Sequence, residues 1–176
     1  MKHPEELVIR SAVAGDADAM GVVHVRAWQS AYRGVMPDAY LDGLQPEERV
    51  AMWRGRISRT ELPPLLVAEL AGDVVGFAAF GPAQAAPDST GVGELYAVNL
   101  DPVHWGKGIG RALLLEVTTA LIAMKFREAI LWVVPENVRA RSLYESERWT
   151  EDGGVRTEEV LGATVTDIRY RRQLVG

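Results

Sequence analysis

Three alternate glycines, Gly106, Gly108 and Gly110, stand between an apolar run and a helix-like run in VNLDPVHWGKGIGRALLLEV, residues 98–117. Glycine is entropically costly at a helix start, so three of them imply that the backbone itself has a task. A helix N-terminus exposes unpaired N–H groups and the positive end of the helix dipole. Glycines keep side chains away from those groups and permit positive φ. Successive amides then form a concave anion site, for which phosphate is the natural guest. Lys107 and Arg111 add positive charge on either side. Two common phosphate loops do not fit. A dinucleotide fingerprint needs G-x-G-x-x-G near the start of a chain, and the last glycine is missing here. The nucleotide-hydrolase loop needs G-x-x-x-x-G-K-[ST], and no Ser or Thr follows Lys107. A glycine-rich start that serves only close packing is the bland alternative.

The elements that must position this loop follow from periodicity and turn chemistry. Leu7 to Ala12 reads as a strand, and Ala17 to Tyr32 as a helix with Ala19, Val22, Val23, Ala27 and Ser30 along one side. Asp38 to Leu41 is a short helical piece, and Pro46 opens another helix to about Ile57. Leu65 to Leu70 and Val74 to Phe80 form a hairpin around Ala71-Gly72-Asp73. Glu94 to Leu100 is a further strand. Behind the glycines, Leu113, Leu114, Val117, Leu121 and Met124 share a helix face. Ala129 to Val134 is a buried strand, Asn137 to Glu147 a short helix, and two strands lie between Thr150 and Leu174. The order predicts a single α/β domain over residues 1–176, with helices flanking one mixed central sheet. The strands on either side of the glycine-opened helix should be parallel neighbours joined by a crossover.

Composition sets the bounds. A hydrophobic fraction of 48% and a charged fraction of 24% are those of an ordinary globular protein. The chain has no cysteine, which excludes disulfides, thiolate metal sites and cysteine nucleophiles. That fits a cytoplasmic setting, and no signal peptide or membrane-crossing run is read. The net charge of −5 argues against nucleic acid as a partner and suits a cationic small molecule or basic peptide. His3, His24 and His104 lie far apart without metal-ligand spacing, so no metal is expected.

The glycine stretch resembles the [QR]-x-x-G-x-[GA] signature of the GNAT-type N-acetyltransferases, as Trp105-Gly106-Lys107-Gly108-Ile109-Gly110. ELYAVNLDP before it and RALLLEV after it match as well. NVRARSLYESERW, from Asn137 to Trp149, resembles the family's N-x-x-A-x-x-x-Y-E-x-x-G-[FY] ending. The close match spans about Glu94 to Trp149, and the element order extends it over most of the chain. There are two departures: Trp105 replaces Gln or Arg, and Arg148-Trp149 replaces Gly-Phe. Backbone phosphate binding would tolerate the first, with Trp105 capping the helix or lying against the ligand; the second bears on the turn after Tyr144.

The resemblance implies a GNAT-like fold and transfer of an acetyl group from acetyl-CoA to a primary amine. The pyrophosphate would lie on the amides from Gly106 to Arg111. Asn137 would contact the pantetheine arm. Val98, Asn99 and Leu100 would act through the strand edge, the amide near Val98 polarising the acetyl carbonyl. Tyr144, two helical turns from Asn137, would protonate the departing thiolate; otherwise it is a core aromatic. Glu94 would be the base that deprotonates the amine, or an ordinary strand-end carboxylate. Relatives that place a glutamate on the following strand have no counterpart here, where Trp132 stands. Trp28, Tyr32, Met36 and Tyr40 would wall the acceptor site or pack helix on sheet. Asp38, Asp42 and Asp88 would attract an amine or simply be solvated. His24 reads as a satisfied helix residue and His104 as exposed beside the loop. Dimers are common in the family, so a homodimer is an open expectation. The rival reading is a non-catalytic acyl-CoA sensor or interaction module, since fold does not fix function.

Overall fold

A computed structural model of the chain describes residues 6–84 and 90–174. Its elements are β1 (Leu7–Ser11), α1 (Ala17–Ala31), α2 (Asp38–Asp42), α3 (Pro46–Ile57), β2 (Leu66–Leu70), β3 (Asp73–Pro82) and β4 (Val92–Leu100), followed by α4 (Ile109–Ala123), β5 (Glu128–Val133), α5 (Val138–Ser146), β6 (Thr150–Val160) and β7 (Ala163–Gln173). They build one seven-stranded sheet in the order β1-β2-β3-β4-β5-β7-β6. Every pairing is antiparallel except β4 with β5, which is parallel. Two parallel neighbours need a crossover, and α4 supplies it. The fold is therefore the mixed α/β arrangement read from the sequence. No helix among the described residues is long and apolar enough to cross a membrane.

The sheet is covered on both faces. Leu113, Leu114, Val117 and Leu121 of α4 are fully buried against Ala78, Leu95 and Leu131 of the sheet. Each such side chain contributes roughly 1.5–3 kcal/mol of burial free energy. Met124 is 37% exposed, because the chain leaves the helix there. On the other face Met20 and Val23 of α1 and Trp53 of α3 pack on Val67 and Phe77. The expected stripe of α1 is rotated: Val22 and Ser30 are exposed, while Met20, Gly21, His24 and Val25 are buried. The helix is covered from two sides, by the sheet and by α3. At Gly21 the backbones approach so closely that a Cβ would lie 2.8 Å from the Pro46 carbonyl oxygen.

Two irregularities shape the middle of the sheet. Phe80 pairs with Leu95 and Ala79 with Ala97, so Tyr96 is an extra residue on β4. Such a bulge bends its strand and sharpens the local twist. On the opposite edge of β4, pairing with β5 stops at Leu95↔Leu131, although β4 runs on to Leu100. Beyond that point the two parallel strands diverge, and a cleft opens between them.

Candidate functional site

The glycine loop sits at the mouth of this cleft. Gly106 and Gly108 have φ of +75° and +81°, a region that penalises any side chain. Nothing lies within 4 Å of where a Cβ would project at either position, so the loop is open on that side. Gly110 serves packing instead: its Cβ would come 3.3 Å from Leu143 of α5. The first helical bond runs from the Ala112 N–H to the Gly108 carbonyl. None of the six N–H groups from Gly106 to Arg111 donates to an acceptor among the described residues. These open amides and the dipole of α4 have the geometry that an anion cradle would need.

The cleft behind the loop has a volume of about 270 Å³. Its walls are the diverged end of β4 (Val98, Asn99, Leu100), the loop, the first two turns of α5 (Asn137, Arg139, Ala140, Leu143, Tyr144) and the end of α1 (Ala27, Trp28, Ala31, Tyr32). Asn137 caps α5, its side-chain oxygen accepting from the Ala140 N–H at 3.2 Å. Tyr144 is 8% exposed, and its hydroxyl has no hydrogen-bond partner among the described residues. Burial, and then the neighbouring Tyr32, push its pKa far above the ordinary value. Burial first, then Asp167, raise Tyr32 to about 12, with Arg156 acting in the opposite sense. Both phenols are therefore protonated donors at neutral pH.

Trp105 is the departure that the structure explains. Its indole N–H donates to the Leu100 carbonyl at 3.0 Å, tying the loop to the end of β4. The guanidinium of Arg139 lies 4.2 Å from its ring centroid, a cation–π contact. Arg139 has no ion-pair partner among the described residues. It thus brings a cation to the cleft rim from α5, where the family pattern would have Gln or Arg on the loop. Sequence reading passes over it. A cation two residues after the N-cap Asn137 opposes the helix dipole, and that mismatch is the available signal. Arg111 is less free than expected, because its Nε pairs with the buried carboxylate of Glu147 at 2.5 Å. Lys107 is exposed, with its ammonium 3.5 Å from His104 Nδ1.

The second departure leaves the turn intact. Arg148 has φ of +65°. The Trp149 N–H reaches the Tyr144 carbonyl at 3.0 Å, and the Arg148 N–H reaches Glu145 at 3.1 Å. This is the helix stop that glycine usually occupies. Arginine adopts it at a cost of about 1–2 kcal/mol.

Other candidates are placed differently. Glu94 is 6% exposed, and its Oε2 accepts the Gln84 N–H at 2.9 Å. It lies at the closed end of the β4–β5 pairing, opposite Ile130, and is not among the residues that line the cleft. Ile109 is buried in the core. Trp28 and Tyr32 line the cleft in an edge-on pair 4.9 Å apart. Met36 and Tyr40 instead pack around Val25, Leu41 and Leu44. Asp38 and Asp42 both pair with Arg33 at 3.0 Å, and Asp88 lies outside the described residues. His24 is only half satisfied: Nδ1 accepts from Trp53 at 3.1 Å, while Nε2 is buried without a partner among the described residues. Burial first, and then Arg49, push its pKa down to about 4.

Comparison with known proteins agrees with this architecture. The acetyltransferase (GNAT) family model matches residues 25–148. The uncharacterised N-acetyltransferase YuaI of Bacillus subtilis strain 168 is 33% identical over 161 residues, 88% of this chain and 90% of that one. An N-acetyltransferase structure from Staphylococcus aureus Mu50 is similar with a TM-score of 0.74 at 24% identity, covering 97% of this chain and 99% of that one. The PaiA N-acetyltransferase of Thermoplasma acidophilum, solved in complex with coenzyme A, gives a TM-score of 0.73 at 22% identity over 96% and 99% of the two chains. A glycine-opened α4 beside two diverging parallel strands, together with these matches, places the chain in the GNAT family as an acetyl-CoA-dependent N-acetyltransferase.

Proposed function

We propose that the chain moves an acetyl group from acetyl-CoA directly to a primary amine of a small molecule or peptide within a ternary complex. The observation that carries this reading is the row of six N–H groups from Gly106 to Arg111, continuous with the unpaired edge of β4 and with the Tyr144 hydroxyl, all without a partner among the described residues. Those amides hold the pyrophosphate, aided by Arg139. The β4 edge at Val98, Asn99 and Leu100 takes the pantetheine as an added strand would be taken. Asn137 contacts the same arm from α5. An N–H near Val98 faces the carbonyl oxygen as negative charge develops on it.

In the chemistry a C–N bond forms, the C–S bond breaks, and one proton of the amine ends on sulfur. Glu94 accepts the ammonium proton through water, leaving a neutral nucleophile. Tyr144 donates a hydrogen bond to the departing sulfur. A free thiol has a pKa of about 8.5, below that of the buried phenol. Tyr144 therefore acts as a relay: as the C–S bond breaks it passes its proton to the sulfur and takes one from the attacking nitrogen in its place, so no free phenolate persists. The chain has no cysteine to carry an acyl intermediate, which supports direct transfer.

The test is calorimetric titration with acetyl-CoA against dephosphorylated pantetheine, followed by thiol release with a panel of amines. Saturable binding that needs the phosphates, with amine-dependent thiol release, is expected. Binding without release for any amine would instead identify an acyl-CoA sensor.

A further inference from the structure

α1 and α3 pack over β3 and β4. On that same side of the sheet, β5, β7 and β6 carry charged side chains around one tryptophan. Residues paired across strands share a face, and so do alternate residues along a strand. Trp132 pairs with Arg169, Arg156 pairs with Asp167, and Ile130 pairs with Glu94. Trp132, Arg169, Asp167 and Arg156 therefore share the face of Glu94. Tyr32, at the end of α1, lines the cleft, and α1 packs on β4 on this same side of the sheet, so this face runs up to the cleft wall.

The two arginines are held in a specific way. The Arg156 guanidinium lies 4.6 Å from the Trp132 ring centroid, and its Nε donates to Asp167 at 2.8 Å. Arg169 lies 5.5 Å from the same ring, and its Nε donates to both oxygens of Asp152 at 2.9 and 2.8 Å. In each case the aspartate takes only Nε. The terminal amino groups of both guanidiniums have no hydrogen-bond acceptor among the described residues. Gly154 makes room for Arg169: a Cβ there would come 2.6 Å from Arg169 Nε and 2.9 Å from its Cβ. Free guanidinium edges beside an aromatic face suit a planar oxyanion, which accepts two parallel N–H bonds.

We propose that Arg156 and Arg169, beside Trp132, determine acceptor specificity, and that the acceptor is an amine that also carries a carboxylate. This rests on the N-acetyltransferase reading above. The carboxylate lies against the two guanidiniums, and the amine points back towards Val98 and Glu94. β5 stands between β7 and β4; the paired β5–β7 step is about 5 Å, the gap to β4 widens past Leu95 where the strands part, and arginine side chains reach into that gap. Amine and carboxylate therefore belong to one small molecule of amino-acid type. The net charge of −5 suggests a polycation, but the field at this wall is set by its own guanidiniums.

The test compares matched pairs that differ only in the carboxylate: ornithine with putrescine, phenylalanine with phenethylamine, methionine with 3-methylthiopropylamine. Thiol release should favour the carboxylated member of the accepted pair roughly 100-fold in kcat/KM. R156Q and R169Q should each raise its KM roughly tenfold, with the KM for acetyl-CoA unchanged and partial recovery in R156K and R169K. Thermal melts of the four variants establish that each is folded. Equal turnover within every pair, or a Gln variant that slows both members alike, overturns the proposal and leaves the acetyltransferase reading standing. No thiol release with any amine overturns both.

Discussion

At the α4 end of the cleft, the polar groups left open are main-chain N–H groups, held by two glycines with positive φ. At the α1 end they are side chains: Trp28 and Tyr32 from one helix line it, and in the acceptor site proposed above Trp132, Arg156 and Arg169 join them from three separate strands. The first end depends on local backbone conformation and changes little when side chains change. Trp105 illustrates this, because it replaces the family's polar residue and the amide row stays open. The second end depends on distant elements meeting. It is free to differ between proteins of one fold, which is how a shared donor comes to serve many acceptors.

Four measurements would break or sharpen this contrast. Tyr144→Phe should lower kcat on the order of 10²–10⁴-fold, as loss of a positioned proton donor does. Acetyl-CoA affinity and the melting temperature should stay unchanged, because the hydroxyl has no partner to lose among the described residues. A drop in acetyl-CoA binding of the same size would make Tyr144 part of the donor cradle instead.

The α1 end should also be the pH-sensitive one. His24 has its pKa pushed down to about 4 from an ordinary 6.5 by burial, so the folded protein binds fewer protons than the unfolded chain between those values. Its contribution to stability is complete above pH 6.5 and is lost as the pH falls towards 4, with a ceiling on the order of 3 kcal/mol. Denaturant titrations at pH 7 and pH 4.5 should show a steeper loss for the wild type than for His24→Gln. Parallel curves would mean that the imidazole is not the group responsible.

Gly108→Ala should weaken acetyl-CoA binding about tenfold, through a backbone strain of about 1–2 kcal/mol and a methyl group beside the amides. A variant that binds normally would show that the amides do not hold the phosphates. Arg139→Ala should weaken the same binding only a few-fold, and the difference should vanish at high salt, since the cation sits at an exposed rim. A larger, salt-independent loss would mean that side chains carry the donor end as well.

Much of the donor end is legible in the amino-acid sequence. Glycine spacing, the parallel strand pair and the Asn137-to-Tyr144 interval are local patterns, and local patterns dictate turns, caps and helix faces. Two features escape such patterns. The α1 stripe is rotated from its expected position because α3 covers a second side of that helix at Gly21. Arg139 goes unnoticed because its meaning lies in its contact with Trp105, across a gap of 34 residues in the chain. Glu94 stands out as a titratable group, but its burial and its bond to the Gln84 N–H follow from the sheet.

The sequence by itself determined the order of elements, the crossover at α4 and a row of open backbone amides at the start of that helix. These follow from short-range periodicity and from the few residues that tolerate positive φ. Only the tertiary structure decided that β4 and β5 diverge after Leu95, that Met36 packs against Val25, Leu41 and Leu44, and that Arg156 and Arg169 flank Trp132. Those outcomes depend on register and packing between strands far apart in the chain, where the choice is made by which surfaces fit and not by the preferences of any one segment.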